Sequence, residues 1–422
     1  MAKFIISGQK KLKGRFTPKG AKNAALKMMA ASILTKEKTI LRNVPNLLDI
    51  RYMIEILESI GAEVNFKDST LEINPTAITG KNPDHTAIKR FRGSVVIIGP
   101  MLALFGKITL PQPGGCVIGV RSIDTHLNAF KAMGATVKED GELYYIKTEH
   151  LIGGKIVLEE ASVTATENIV MAATLALGTT KILNAAMEPE IVDLINMLIA
   201  MGAKISGVGT PSITIEGVRS LKGADWTVLP DRIEIGTIAI AGAITKGEIE
   251  INPVIPDHLE LPLLKLRQSN VKFSIEPNRD STSKLIIAKT THFNPFKIDT
   301  RAYPGFPTDL QAPMSVLATQ ATGASQIFES LFESRLNYAR ELNRMGSKIH
   351  LESSREAIIH GPTPLKGKKI VSLDLRAGAT LLLAALIAEG ESEINNAEII
   401  DRGYETIDER LNALGGKIER IG

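Results

Sequence analysis

One cysteine stands in the 422-residue chain, and its surroundings suit chemistry better than packing. Cys116 lies in Pro113-Gly114-Gly115-Cys116, followed by Gly119 and Arg121. A lone cysteine is most often a small buried hydrophobe. Here the proline and the paired glycines are incompatible with core helix or central strand, and the glycines let backbone approach a ligand closely. A nearby arginine lowers a thiol's pKa and makes it reactive. The stretch therefore reads as a functional loop carrying a nucleophile or proton donor.

A second set of candidates lies at the starts of apolar helices. Lys22-Asn23, Arg92-Gly93-Ser94, Ser162-Val163-Thr164, Asp231-Arg232, Thr308-Asp309 and Asp374-Leu375-Arg376 each open one. Ser, Thr and Asp there serve as N-caps. Lysine and arginine do not, because the helix N-terminus is already electropositive. Lys22, Arg92, Arg232 and Arg376 thus call for an anionic ligand or a carboxylate partner. Asp309, just after a proline-bounded turn, fits an N-cap and fits equally a general base. His126 is expected to be structural, and the Phe332-Glu333-Ser334-Arg335 turn is open to either reading.

These residues are positioned by a repeat. An amphipathic helix ending in a corner glycine recurs at Gly61, Gly134, Gly202, Gly346 and Gly415, with Asn270 in the same place once. Glycine and asparagine both tolerate the left-handed conformation that ends a helix. The spacings are 73, 68, 68, 76 and 69 residues, which defines six units. Each unit also has a nearly apolar helix, near 21–35, 92–105, 163–177, 232–244, 308–321 and 375–388, suited to the middle of a domain. A third recurring pattern, strand then Leu-x-Gly then strand, predicts a hairpin. The sixth unit lacks it, and residues 4–14 supply it from the other end of the chain. Six units exceed one ordinary core. The expected α/β architecture is two domains of three units, 21–229 and 1–20 plus 230–422. Asn43 to Gly61, Asn184 to Gly202 and Asn252 to Asn270 each span 18 residues, whereas Leu110 to Gly134 spans 24. The Cys116 loop is the insertion, and insertions in repeats mark loops on one face.

Composition removes several classes. With 44% hydrophobic and 23% charged residues the chain reads as an ordinary globular protein. One cysteine forbids an intramolecular disulfide or a cysteine metal cluster. Net charge +4 without aromatic-interleaved basic runs gives no sign of nucleic-acid binding. The start turns polar after Phe4-Ile5-Ile6, so no secretory leader is expected, and no apolar run approaches bilayer length. A cytoplasmic monomer without metal or nucleotide cofactor is the expectation, since no Walker loop, dinucleotide fingerprint, HExxH or Gly-x-Ser-x-Gly occurs.

Taken jointly, Gly20-Ala21-Lys22-Asn23, Pro113-Gly114-Gly115-Cys116 with Arg121, Glu188-Pro189-Glu190 and Leu229-Pro230-Asp231-Arg232 resemble the enolpyruvyl transferase family. Phe306-Pro307-Thr308-Asp309, Phe332-Glu333-Ser334-Arg335, Asp374-Leu375-Arg376 and Asp401-Arg402-Gly403-Tyr404 extend the resemblance over the whole chain. It implies two inside-out α/β barrel domains with the active site in the interdomain cleft. The implied reaction moves the enolpyruvyl group of phosphoenolpyruvate to the 3-hydroxyl of UDP-N-acetylglucosamine, releases phosphate, and opens peptidoglycan synthesis. By the same resemblance Cys116 is the general acid on a closing lid, able to form an adduct with the enolpyruvyl group and to take up the epoxide fosfomycin. Asp309 is the base at the sugar hydroxyl. Lys22, Arg121 and Arg402 hold the phosphate side, with Arg402 closing from the opposite domain, and Asn23, Arg92 and Arg376 line the site. The nucleotide sugar is met by Arg92, Arg121, Ser122, Ile123, Asp124 and Thr125, by Ser162, Val163 and Thr164, and by Asp309 and Leu331.

Three places depart from the family's pattern: Leu48 and Glu160 stand where relatives often have lysine, and Ser122-Ile123 replaces Pro-Val. Two rival readings remain. A 5-enolpyruvylshikimate-3-phosphate synthase shares donor and mechanism but does not use this cysteine loop. A non-catalytic nucleotide-sugar-binding paralogue would need neither Cys116 nor Asp309.

Overall fold

The computed structural model describes residues 2–114, 119 and 122–422. Its contacts divide the chain at 19/20 and 229/230 into two compact units, one residue from the boundary expected at Gly20. Each unit has its own contiguous core.

In the unit of residues 20–229, the apolar helices are Lys22–Ala31, Ile98–Phe105 and Val163–Ala173. The expected helix over 92–105 is in fact two pieces, because Arg92–Ile97 winds as a tighter 3-10 turn. In the unit that contains 230–422, Arg232–Ile244 is buried at every position, and Leu375–Ile387 at all but its last. Thr308–Thr319 lies between them in sequence and packs on both. Alanine- and glycine-rich faces allow this close approach. A Cβ on Gly236 would stand 2.5 Å from Leu310 Cδ1, so a larger residue there would have to displace the Leu310 side chain. Buried all round, such helices gain nothing from exposure, and burial of apolar surface at roughly 25 cal/mol per Å² drives their packing.

The amphipathic helices end at the expected corners. Gly61, Gly134, Gly202, Gly346 and Gly415 have φ of +107°, +90°, +104°, +103° and +97°, and Asn270 has +64°. Each corner turns the chain into a sheet on the outside of its unit.

Those sheets correct the hairpin reading. The strands flanking each Leu-x-Gly do not pair with each other but join different sheets. Ser212–Glu216 pairs with Thr179–Leu183, whereas Asp225–Thr227 runs parallel to Thr39–Arg42. Lys3–Ser7 lies between Glu391–Asn395 and Ile418–Ile421, and Lys13–Phe16 runs parallel to Glu248–Val254. Each repeat thus donates its last strand to a neighbour. Five sheets reach four strands this way, and the sheet of Lys107–Pro111, Leu143–Lys147 and Thr136–Asp140 has three among the described residues. Strand donation ties the three repeats of each unit to one another, so no repeat is complete alone.

Candidate active site

Lys22 opens its helix in the 20–229 unit, and its Nζ donates to Asp49 Oδ2 at 3.1 Å. Asp49 is 3% exposed, in the first turn of Leu48–Ser59. A buried carboxylate fixes the ammonium and explains a lysine at an electropositive helix start. Leu48, which stands where relatives often have lysine, precedes this aspartate. Asn23 follows Lys22 in the first turn and is half-buried.

Arg92 reaches across to the next candidates, its Nη2 donating to the carbonyl of Ser122 at 2.6 Å. Ser122 Oγ in turn accepts from the N–H of Asp124 at 2.9 Å, starting the helix Asp124–Ala132. Ile123 is buried beneath this turn and Asp124 is exposed. Thr125 Oγ1 donates to Glu160 Oε1 at 3.4 Å, which is what the departing glutamate does here. Ser162, Val163 and Thr164 are half-buried at the start of Val163–Ala173. Cys116 and Arg121 lie outside the described residues.

Thr164 is held by a relay from the core. Gly99 N–H donates to Asn168 Oδ1 at 2.7 Å, which orients the amide so that Nδ2 faces His126 Nδ1 at 2.9 Å. Nδ1 therefore accepts, and Nε2–H donates to Thr164 Oγ1 at 3.1 Å. Burial, and then the charge of Arg92, push the imidazole down to about 3, so it stays neutral. The expected structural role of His126 is visible as the orientation of a candidate ligand contact.

The candidates of the second unit surround Asp309. Its Oδ1 accepts from Arg335 Nη2, and its Oδ2 from Arg376 Nη2 at 2.7 Å. The two arginines are 8% and 7% exposed and the aspartate 22%. The carboxylate is thus held between two buried guanidiniums in the first turn of Thr308–Thr319. Arg376 Nη1 also donates to Tyr404 Oη at 3.0 Å, and Tyr404 meets Thr237 Oγ1 at 2.9 Å. Thr237 already donates to the carbonyl of Ile233, so the tyrosine donates to Thr237 and accepts from the arginine. Burial opposes the Arg376 charge, but Asp309, Tyr404 and Asp231 outweigh it and raise the pKa. Asp374 caps the helix below, accepting from the N–H groups of Arg376 and Ala377 at 2.8 and 2.9 Å. Arg402 ends the 3-10 turn Ala397–Arg402 and is half-buried.

Sequence reading left Arg335 ambiguous and missed Glu329. Fully buried Glu329 accepts from Thr300 Oγ1, Thr308 Oγ1 and the N–H groups of Leu331 and Phe332. It thereby sets the turn that presents Leu331, 40% exposed, and the residue before Asp309. Nothing local marks such a glutamate, because its partners lie up to 29 residues away. Among the described residues, no group of three His, Cys, Asp or Glu could hold a metal ion, and no helix is long and apolar enough to cross a membrane.

The chain as a whole is similar to a known class of proteins. Residues 6–411 match the family described as EPSP synthase (3-phosphoshikimate 1-carboxyvinyltransferase). The crystal structure of the enolpyruvyl transferase NikO from Streptomyces tendae superposes with a TM-score of 0.89 at 22% identity, covering 99% of this chain and 98% of that one. That likeness shows a shared fold of two α/β units built from repeats. UDP-N-acetylglucosamine 1-carboxyvinyltransferase of Halothermothrix orenii is 43% identical over the full length of both chains. The protein of that name numbered 1 in Caldanaerobacter subterraneus subsp. tengcongensis is 44% identical over 99% of both. The chain therefore belongs to the enolpyruvyl transferases and, among them, to the UDP-N-acetylglucosamine 1-carboxyvinyltransferase family.

Proposed function

We propose that the protein transfers the enolpyruvyl group of phosphoenolpyruvate to the 3-hydroxyl of UDP-N-acetylglucosamine, as a step of peptidoglycan synthesis. The observation that carries this reading is the Asp309 carboxylate shared between buried Arg335 and Arg376, in a chain similar throughout to transferases of that name.

The residues divide the work as follows. Lys22, Arg121 and Arg402 neutralise the phosphate of the donor, and Asn23 and Arg376 act on the same ligand. Arg is suited to the bidentate geometry of phosphate and carboxylate. Arg92, Ser122 to Thr125, Ser162 to Thr164 and Leu331 meet the nucleotide sugar. Asp309 accepts the proton of the sugar 3-hydroxyl as its oxygen bonds to C2 of the enol, and the Cys116 thiol gives a proton to the methylene carbon. The adduct then carries sugar oxygen and phosphate on one carbon. Loss of phosphate from C2 and return of a methyl proton to the Cys116 thiolate restore the double bond, and the proton held by Asp309 leaves to the departing phosphate or solvent, so atoms and charge balance. Among the described residues, Lys22 is placed by Asp49, Arg92 sits against Ser122, and Thr164 is oriented by neutral His126. The protein works as a soluble cytoplasmic monomer.

The test is phosphate release by the purified protein. Release should require phosphoenolpyruvate and UDP-N-acetylglucosamine together. Release with shikimate 3-phosphate in place of the nucleotide sugar would assign the other acceptor.

A further inference from the structure

The three-stranded sheet of the 20–229 unit carries a feature that the proposed reaction leaves unused. Where the other sheets place a fourth strand beside their first, the segment through Gly80, Lys81 and Asn82 passes without forming one. Side chains take over the free edge of Lys107–Pro111: Asn82 Oδ1 accepts from Thr109 N–H at 2.9 Å, and His85 Nε2 lies 3.3 Å from the Thr109 carbonyl. The edge is therefore closed to another strand, but a groove of about 850 Å³ opens beside it over the sheet.

The register fixes what this groove displays. Lys107 stands directly opposite Lys147, which stands opposite Thr136, and Thr109 stands opposite Tyr145, which stands opposite Lys138. Alternation along a strand puts both rows on one face. Lys81, Asn82, Lys107, Lys138, Tyr145 and Lys147 all line the groove. Lys138 has an acidic neighbour in Asp140 at 3.4 Å, whereas Lys81, Lys107 and Lys147 make no ion pair among the described residues. Like charges directly opposite on a sheet destabilise it. Tyr145, on the central strand, is 40% exposed, a large ring presented to solvent between lysines. The volume lies in the range of about 300–1,000 Å³ usual for small-ligand sites.

We propose that this groove is a binding site for a nucleoside triphosphate-type ligand, its planar ring on Tyr145 and its phosphates on Lys81, Lys107 and Lys147. A ring face gives stacking that tolerates any base. The lysines are flexible point charges, suited to a multivalent anion rather than to one bidentate group. The site shares no residue with the proposed reaction.

Calorimetric titration with ATP tests this, using the full chain saturated with UDP-N-acetylglucosamine so that the reaction site is occupied. One ATP should bind, at least tenfold more weakly in Lys107→Glu/Lys147→Glu and at least fivefold more weakly in Tyr145→Ala. Tripolyphosphate, which lacks the ring, should bind the wild type more weakly than ATP and be indifferent to Tyr145→Ala. The matched charge change Lys10→Glu/Lys11→Glu, on exposed residues of the other unit, should leave ATP binding unchanged. The same titrations without the nucleotide sugar keep the result independent of the proposed reaction. Absence of ATP binding, equal loss in the Lys10/Lys11 control, or no effect of the groove variants would overturn the proposal.

Discussion

Asp309→Asn removes one negative charge from between two guanidiniums that are 8% and 7% exposed. The amide keeps the volume and can offer one acceptor oxygen, but Arg335 and Arg376 then lose the carboxylate they share, and only Arg376 still has a second one, Asp231, acting on it. Removing one member of a buried ion pair costs about 3–5 kcal/mol. For a unit of this size each kcal/mol shifts the melting midpoint by roughly 2–4 °C, so a fall of about 6 to 20 °C is expected. Loss of a general base separately lowers turnover by about 10²–10⁴-fold. The two effects are separable. Asp309→Asn/Arg335→Met deletes one of the two cations, and its midpoint should recover at least half of the loss. Turnover should stay at the level of Asp309→Asn, because the base is still absent. Melting followed by circular dichroism, with phosphate release at saturating substrates, reads both. Recovery of turnover in the double variant would refute the base assignment, and an unshifted midpoint in Asp309→Asn would refute the energetic argument.

Other expectations follow from the same geometry. Cys116→Ala should abolish turnover, and fosfomycin should add one mass adduct to the wild type and none to this variant. Lys22 should lose its fixed position in Asp49→Asn, raising KM for phosphoenolpyruvate by about tenfold in steady-state kinetics, with a fall in melting midpoint of the same order as for Asp309→Asn because this pair is buried too. His126, held down to about 3 by burial and Arg92, binds a proton in the unfolded chain below about 6.5. Its contribution therefore lowers stability as pH falls, by about 2 kcal/mol between pH 7.5 and 5, and His126→Gln should remove that slope in denaturant titrations. Asp193, raised by burial to about 6, has the opposite sign: its contribution is present at low pH and fades as pH rises from about 4 to 6. Asp193→Asn should cancel that fading by about 3 kcal/mol at neutral pH, less what the hydrogen bonds from Trp226 and Leu229 lose.

Local signals carried much of the fold. A glycine after an amphipathic helix has a steric reason to be where it is, and the positive φ at Gly61 or Asn270 bears that reason out. The apolar helices were equally plain, because Arg232–Ile244 has almost no polar face to misread. The strand exchange was not legible, since a short strand such as Asp225–Thr227 has the same alternation whichever sheet it joins. The winding of Arg92–Ile97 was missed for a similar reason: 3-10 and α turns differ in hydrogen bonding, not in composition. At the site, residue types marked Lys22 and Arg376 as needing partners and Asp309 as an N-cap or a base. Which partners they have was set by packing, with Asp49 27 residues beyond Lys22 and Asp309 67 before Arg376. Glu329 and Asn168 act through buried oxygen and nitrogen atoms whose orientation only the assembled core decides.

The most direct measurement of the central claim is phosphate release by the purified protein with each substrate alone and with both. The account predicts release only when phosphoenolpyruvate and UDP-N-acetylglucosamine are present together, with enolpyruvyl-UDP-N-acetylglucosamine formed in equal amount by mass spectrometry. Release that ignores the nucleotide sugar, or requires shikimate 3-phosphate instead, would contradict it.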